Sequence, residues 1–177
     1  MVAKMPELKN FRNQAQGGET ITSIRKAIQQ GRLKVGGFHI VVVHVGTNDV
    51  ARSSDTSKIL LEYKRLVDEI QRFNRSATLI LSTILPRWVD DQITALVISS
   101  VNKSVLRKAD TAWNCLVVRS DKLFRWGGDV RAEFYARDRL HLNARGTIRL
   151  GDFLATQTSK SQVEANIQCR ERRKCVR

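Results

Sequence analysis

Two short runs carry side chains able to do chemistry. The first is Val45-Gly46-Thr47-Asn48-Asp49. Glycine lets the chain turn sharply, and an Asn-Asp pair closes a turn by bonding back to nearby backbone. At the end of a strand the Asn48 amide would point past the sheet edge, where it can donate to an oxygen gaining negative charge. A plain turn without any chemical role accounts for the tetrapeptide more simply, and taken alone it favours that reading. The second run is Tyr135-Ala136-Arg137-Asp138-Arg139-Leu140-His141-Leu142-Asn143-Ala144-Arg145-Gly146. Asp138 and His141 stand three apart, a spacing that brings both to one side of a single turn. A carboxylate beside an imidazole fixes its tautomer and stabilises the imidazolium formed when it accepts a proton. A surface histidine with an acidic neighbour has the same spacing, and the spacing does not separate the two readings. The other two histidines, His39 and His44, fall within a strand.

These runs need a scaffold. Residues 38–45 (FHIVVVHV) and 77–84 (ATLILSTI) are short β-branched and apolar runs of the kind that form buried parallel strands. Residues 115–118 give a third strand, and 8–15 a weaker fourth candidate, polar enough for an edge strand or a loop. Helical stripes alternate with them. Ser54 or Asp55 can cap a helix to about Phe73, with Ile59, Leu60, Tyr63, Leu66, Val67 and Ile70 on one side. Asp90-Asp91 opens another to about Ala109. Shorter helices are predicted over 22–30, stopped by Gly31, and over 144–155. The alternation predicts an α/β fold: a three-layer, flavodoxin-like open parallel sheet with helices on both faces. In such sheets functional groups gather past the carboxyl ends of the strands, which is where both runs fall.

Composition sets outer limits. The 177 residues suffice for one domain with a true core. No run of about 18 apolar residues is present to span a membrane, and no apolar run follows the N-terminal charge. A soluble, cytoplasmic protein is the default expectation. Cys115 sits in an apolar run as a small core residue, whereas the spacing of Cys169 and Cys175 suits no zinc motif. The net charge of +14 is unusual. Residues 35–90 are nearly neutral, while 160–177 hold Lys160, Arg170, Arg172, Arg173, Lys174 and Arg177 against Glu164 and Glu171. The chain therefore reads as a domain over 1–157 and a basic, disordered tail over 158–177. The tail is a solvated segment or a weak nucleic-acid contact; no aromatic interleaves with its charges to stack on bases.

The motifs resemble the SGNH (GDSL-type) hydrolase family. Gly46-Thr47-Asn48-Asp49 matches its GxND block and Asp138-Arg139-Leu140-His141 its DxxH block, with Arg139 where a glycine is usual. Gln16-Gly17-Gly18-Glu19-Thr20-Ile21 is similar to the glycine block before the first short helix, Gly18 being the better match. The blocks stand in order over residues 8–157. The resemblance implies that His141 is the catalytic base and later the acid, and that Asp138 orients it. It also implies an oxyanion site made by the Asn48 side chain and the Gly18 backbone N–H. Family members cleave esters and thioesters, commonly acyl esters of carbohydrates or lipids, without metal or cofactor. Trp88, just past the second strand, lines an acyl pocket or packs as a loop residue, the simpler reading. Trp126-Gly127-Gly128-Asp129 reads as a loop with a glycine turn.

One block has no counterpart. The family's serine nucleophile lies in a Gly-Asp-Ser block at the end of a first strand, well before the glycine block. Ser23, the earliest serine, follows the glycine block inside a predicted helix. In the family that first strand lies mid-sheet, so its absence would leave one edge of 38–45 unpaired. The expectation is a natural protein that starts upstream of Met1, and a chain that is inactive as given. Two alternatives to an ester hydrolase are a catalytically dead binding module and a nucleic-acid-associated esterase-like domain of a retroelement.

Overall fold

The computed structural model describes residues 12–174, the side chains of 110, 112 and 163–174 excepted. Thr20 opens α1 (Ile21–Gln29) with a capping box, its hydroxyl accepting from the Ser23 N–H while the Ser23 hydroxyl accepts from that of Thr20. β1 (Ile40–His44) follows, then the short α2 (Thr47–Arg52) and the long α3 (Thr56–Phe73), capped by Asp55. β2 (Thr78–Ser82) leads to α4 (Gln92–Lys108), capped by Asp91, and to a π-helical turn over Ala109–Trp113. β3 (Leu116–Val118) completes the sheet. A 3-10 turn (Ser120–Phe124), a small hairpin of β4 (Arg125–Trp126) and β5 (Asp129–Val130), and a second 3-10 turn (Ala132–Phe134) precede α5 (Ala144–Lys174).

The main sheet is parallel in the order β1-β2-β3, with Ile40 opposite Thr78 and Ile80 opposite Leu116. Strand alternation divides its faces. Val41, Val43, Leu79, Leu81 and Val117 join a core with Ile21 and Ile28 of α1, Tyr63, Leu66 and Val67 of α3, and Ile98 and Val101 of α4. The even-numbered residues face the other side, where α5 runs across β1 and buries Leu154. A smaller core beyond the strand ends gathers Leu85, Phe124, Phe134 and Tyr135 with Leu142 and Leu150. Among the described residues, β1 pairs only with β2.

The three strands and the first three predicted helices fall where the patterning placed them. Of the 8–15 candidate, residues 8–11 lie outside the described ones, and 12–15 form no strand. The last helix is the departure: it passes residue 155 and runs to Lys174, so the segment expected as a disordered tail is helical that far. Residues 156–174 contain neither Gly nor Pro and include several Gln, Glu, Lys and Arg, so nothing local stops the helix. No described helix is long and apolar enough to cross a membrane.

Candidate active site

The turn after β1 is fixed from beneath. Gly46 has φ +117°, and a Cβ there would lie 2.5 Å from the Tyr63 hydroxyl and 2.7 Å from Ile84 Cδ1. Tyr63, buried in α3, donates its O–H to the Val45 carbonyl at 2.5 Å, and burial pushes its ionisation well above the usual range. Asp49, in the first turn of α2, accepts the Ile21 N–H at 3.1 Å, and partial burial raises its pKa. The Asn48 amide donates to the Glu19 carbonyl at 2.9 Å. These two bonds stitch the β1 turn to the glycine block, so Asn48 stands one residue's reach from Gly18, itself at φ +81°. One of the two amide hydrogens of Asn48 serves Glu19, leaving the other for an incoming oxygen.

The second run is built by local bonds. One Asp138 oxygen accepts the N–H groups of Leu140 (2.9 Å) and His141 (3.0 Å), closing an Asx turn. Its other oxygen lies 2.7 Å from His141 Nδ1. That side-chain bond, with the two backbone bonds, holds the Asp138 carboxyl down to about 2. A proton on Nδ1 facing the carboxylate leaves the Nε2 lone pair as the base. The pair is open to water, His141 at 74% and Asp138 at 50% side-chain exposure.

Three anchors hold this turn to the fold. The Asn143 amide donates to the Glu133 and Tyr135 carbonyls and accepts the Gly146 N–H, capping α5. Tyr135 donates its hydroxyl to the Pro86 carbonyl, in the segment after β2. That segment is fixed in turn by Asn102, a buried amide on α4 that both donates to and accepts from the Ile84 backbone at 2.8 Å. The Val89 N–H donates to the Arg139 carbonyl at 3.2 Å. The two runs thus stand past the ends of adjacent strands: 46–49 follows β1, and 138–141 is tied to the loop after β2.

Trp88 is 43% exposed, and its ring carries the Arg139 guanidinium at 4.6 Å rather than facing a closed pocket. Arg139 sits at φ +60°, in the left-handed region that explains why glycine is usual at this position. No described serine is hydrogen-bonded to His141. Ser23 is engaged in the α1 cap, and Ser82 and Ser120 are buried and bonded to each other at 2.7 Å. Ser82 does meet a histidine, His44 Nδ1 at 2.8 Å, but Ser82 is only 2% exposed. The positioning residues Asn102 and Asn143 escaped the sequence reading. A lone Asn within the apolar stripe of α4 was the available signal for the first, and the Leu-Asn after His141 for the second.

A profile of the GDSL-like lipase/acylhydrolase family matches residues 2–147. No curated protein matches the chain. Solved structures share the fold at low identity. The OSK domain of Drosophila Oskar is 18% identical with a TM-score of 0.66, over 77% of this chain and 69% of that one. The esterase EstA from Pseudoalteromonas sp. is 17% identical at 0.61, over 82% and 74%. The esterase domain of the ZfL2-1 ORF1 protein, from a zebrafish retrotransposon, is 21% identical at 0.54, over 66% and 70%.

Proposed function

This chain belongs to the GDSL-like lipase/acylhydrolase family, and we propose that its site is the acid–base and oxyanion half of a carboxylic-ester hydrolase acting on carbohydrate or lipid acyl esters. The observation that carries this is the 2.7 Å bond from Asp138 to His141 Nδ1, which leaves Nε2 facing solvent. His141 removes the proton of an attacking hydroxyl, Asp138 stabilises the imidazolium, and the proton then passes to the departing alkoxide. The second Asn48 N–H and the Gly18 N–H receive the oxyanion formed between those steps.

Among the described residues no serine is hydrogen-bonded to His141, and in this reading water takes the place of the nucleophile. Loss of the serine alone costs on the order of 10⁶ in turnover in a serine protease. The oxyanion donors and binding that remain are worth roughly 10³–10⁴ over background without the histidine, and water activated by His141 adds a rate above that floor. The purified chain is expected to hydrolyse p-nitrophenyl acetate slowly, without a burst, and to lose that rate in His141→Ala. It is expected to take up no fluorophosphonate. An adduct on one of its own serines, or a rate indifferent to His141, overturns the assignment.

The net charge of +14 favours a second activity for the same fold, contact with nucleic acid through the basic residues of 160–177. The retrotransposon esterase domain is a neighbour compatible with it. Salt-sensitive RNA binding that disappears when Arg170, Arg172, Arg173 and Lys174 are changed to Gln supports that role for the tail.

A further inference from the structure

The β4–β5 hairpin presents a tryptophan that its own packing does not need. Gly127 and Gly128, at φ +55° and +102°, form a two-residue loop of the kind that fits the twist of paired strands. Trp126 pairs with Asp129 across the hairpin, and its side chain is 80% exposed, the most open large apolar residue described. The Arg125 guanidinium donates to the Gly128 carbonyl at 2.9 Å, tying the loop down. A rigid tip holding an aromatic face in water is a stacking platform.

The hairpin grows out of the rim of an open groove of about 530 Å³ between the two 3-10 turns and α5, lined by Leu123, Phe134, Arg145, Ile148, Arg149 and Asp152. Leu123 is three residues from Trp126, so the platform stands within about 10 Å of the groove wall. Phe134 carries two guanidinium groups, Arg131 at 4.5 Å and Arg149 at 5.1 Å from its ring centre. Arg149 is also held by the Leu123 carbonyl at 3.2 Å. Of the nearby acids, Asp121 lies 3.5 Å from Arg119 and Glu133 is engaged by Arg131 at 2.6 Å, leaving Asp129 and Asp152 against Lys122, Arg125, Arg145 and Arg149.

We propose that this groove binds a single-stranded nucleic acid, with Trp126 stacking on a base and Arg145 and Arg149 neutralising backbone phosphates. The inference rests on the nucleic-acid reading above and moves the site from the tail to the folded face. Planar guanidiniums fixed against a ring suit phosphate oxygens, and one aromatic platform beside a basic groove suits a polyanion that carries its bases to one side. An anionic bilayer fits less well. The other exposed large apolar residues are scattered, Leu61 and Phe73 on α3, Trp88 and Val89 after β2, Ile93 and Leu96 on α4 and Leu116 on β3, and of them all only Ile148 lines the groove.

The test is fluorescence anisotropy of a labelled 20-nucleotide single-stranded RNA with the full chain, at several salt concentrations. Trp126→Ala is expected to weaken binding about thirtyfold, at the middle of the range for loss of one stacked base, and Trp126→Phe to restore most of it. Arg145→Gln is expected to lower the log–log salt slope by about 0.7, one phosphate on a single strand. Both side chains are exposed, and circular dichroism checks that the variants fold. Unchanged binding in both, with binding lost on replacing Arg170, Arg172, Arg173 and Lys174 by Gln, overturns the groove and leaves the tail reading standing. No binding by the native chain at low salt overturns both. A shift of Trp126 emission with phosphatidylserine vesicles, but not with RNA, overturns the proposal in favour of a membrane.

Discussion

The two turns that carry the site are held in opposite ways. The turn after β1 is fixed by the main core: Tyr63 and Ile84 close beneath Gly46, and Asp49 and Asn48 bond across to residues 21 and 19. The Asp138–His141 turn stands in water and makes most of its own bonds, reaching the fold through Asn143, Tyr135 and Val89. The proposed oxyanion site would have to hold still as charge develops, which suits core support. A base must stay accessible to the group it deprotonates and needs only its tautomer fixed. The difference teaches that one end of such a site stands or falls with the domain, whereas the other can change almost independently of it.

The largest expected break comes at Gly46. In Gly46→Ala the new methyl group meets Tyr63 Oη and Ile84 at under 3 Å, on a backbone whose φ of +117° disfavours any side chain. Backbone strain and overpacking together predict a loss of about 4 kcal/mol, read as a lower urea midpoint at unchanged slope. A loss under about 1 kcal/mol would mean the core does not clamp this turn. On the other side, Asn143→Ala removes two donated bonds and one accepted bond while adding no clash. A cost of about 2 kcal/mol is expected, with hydrogen exchange accelerated at Ala136, whose N–H bonds the His141 carbonyl, before it is accelerated in β1 or β2. Exchange rising equally in β1 would show the two regions to be one cooperative unit.

The same contrast marks what was legible beforehand. Strand and helix placement followed from hydrophobic period, and Asp55 and Asp91 announced their helix starts, because those signals are local. The DxxH turn was readable for the same reason: its bonds span three residues. The support of the β1 turn was not, since Tyr63 to Val45 and Asp49 to Ile21 cross 18 and 28 residues. Asn102 and Tyr135 likewise act on Ile84 and Pro86 through contacts that no window of sequence contains. The extent of α5 was misjudged because an absence of breakers is a weaker signal than a stripe, and residues past 155 have no regular apolar face. Trp126 read as a loop residue because the groove whose wall begins at Leu123 takes Arg145 and Arg149 from α5, far along the chain.

A smaller effect sharpens the picture of the exposed turn through pH. Asp138 titrates near 2 when folded, held down first by the His141 ring and then by two backbone N–H groups. The unfolded carboxyl titrates near 3.9. A depressed folded pKa stabilises the fold above the unfolded value and loses that contribution as pH falls from about 4 toward 2. Exposure of the pair to water keeps the contribution small. Carboxyl carbon shifts in an NMR titration are expected to give a midpoint near 2 in the native chain, and one displaced toward the ordinary value in His141→Ala. An identical midpoint in both would mean that the backbone, and not the imidazole, sets it.

Arg139 gives the smallest and most discriminating test, because two opposing terms meet at one residue. Its left-handed backbone costs a residue with a Cβ about 1–2 kcal/mol relative to ordinary helical geometry, while its guanidinium over Trp88 returns about 0.5–1 kcal/mol at an exposed site. Arg139→Gly removes both and adds chain entropy to the unfolded state, so its net effect is expected to lie within about 1 kcal/mol of zero. Arg139→Ala keeps the strain and loses the stack, and is therefore expected to be the less stable of the two variants. In a Trp88→Ala background the cost of Arg139→Ala should vanish, since the stack is already gone. If it persists there, the Arg139 side chain acts through something other than the ring; if Arg139→Ala costs nothing even with Trp88 in place, the backbone bond from Val89 alone ties the exposed turn to the loop after β2.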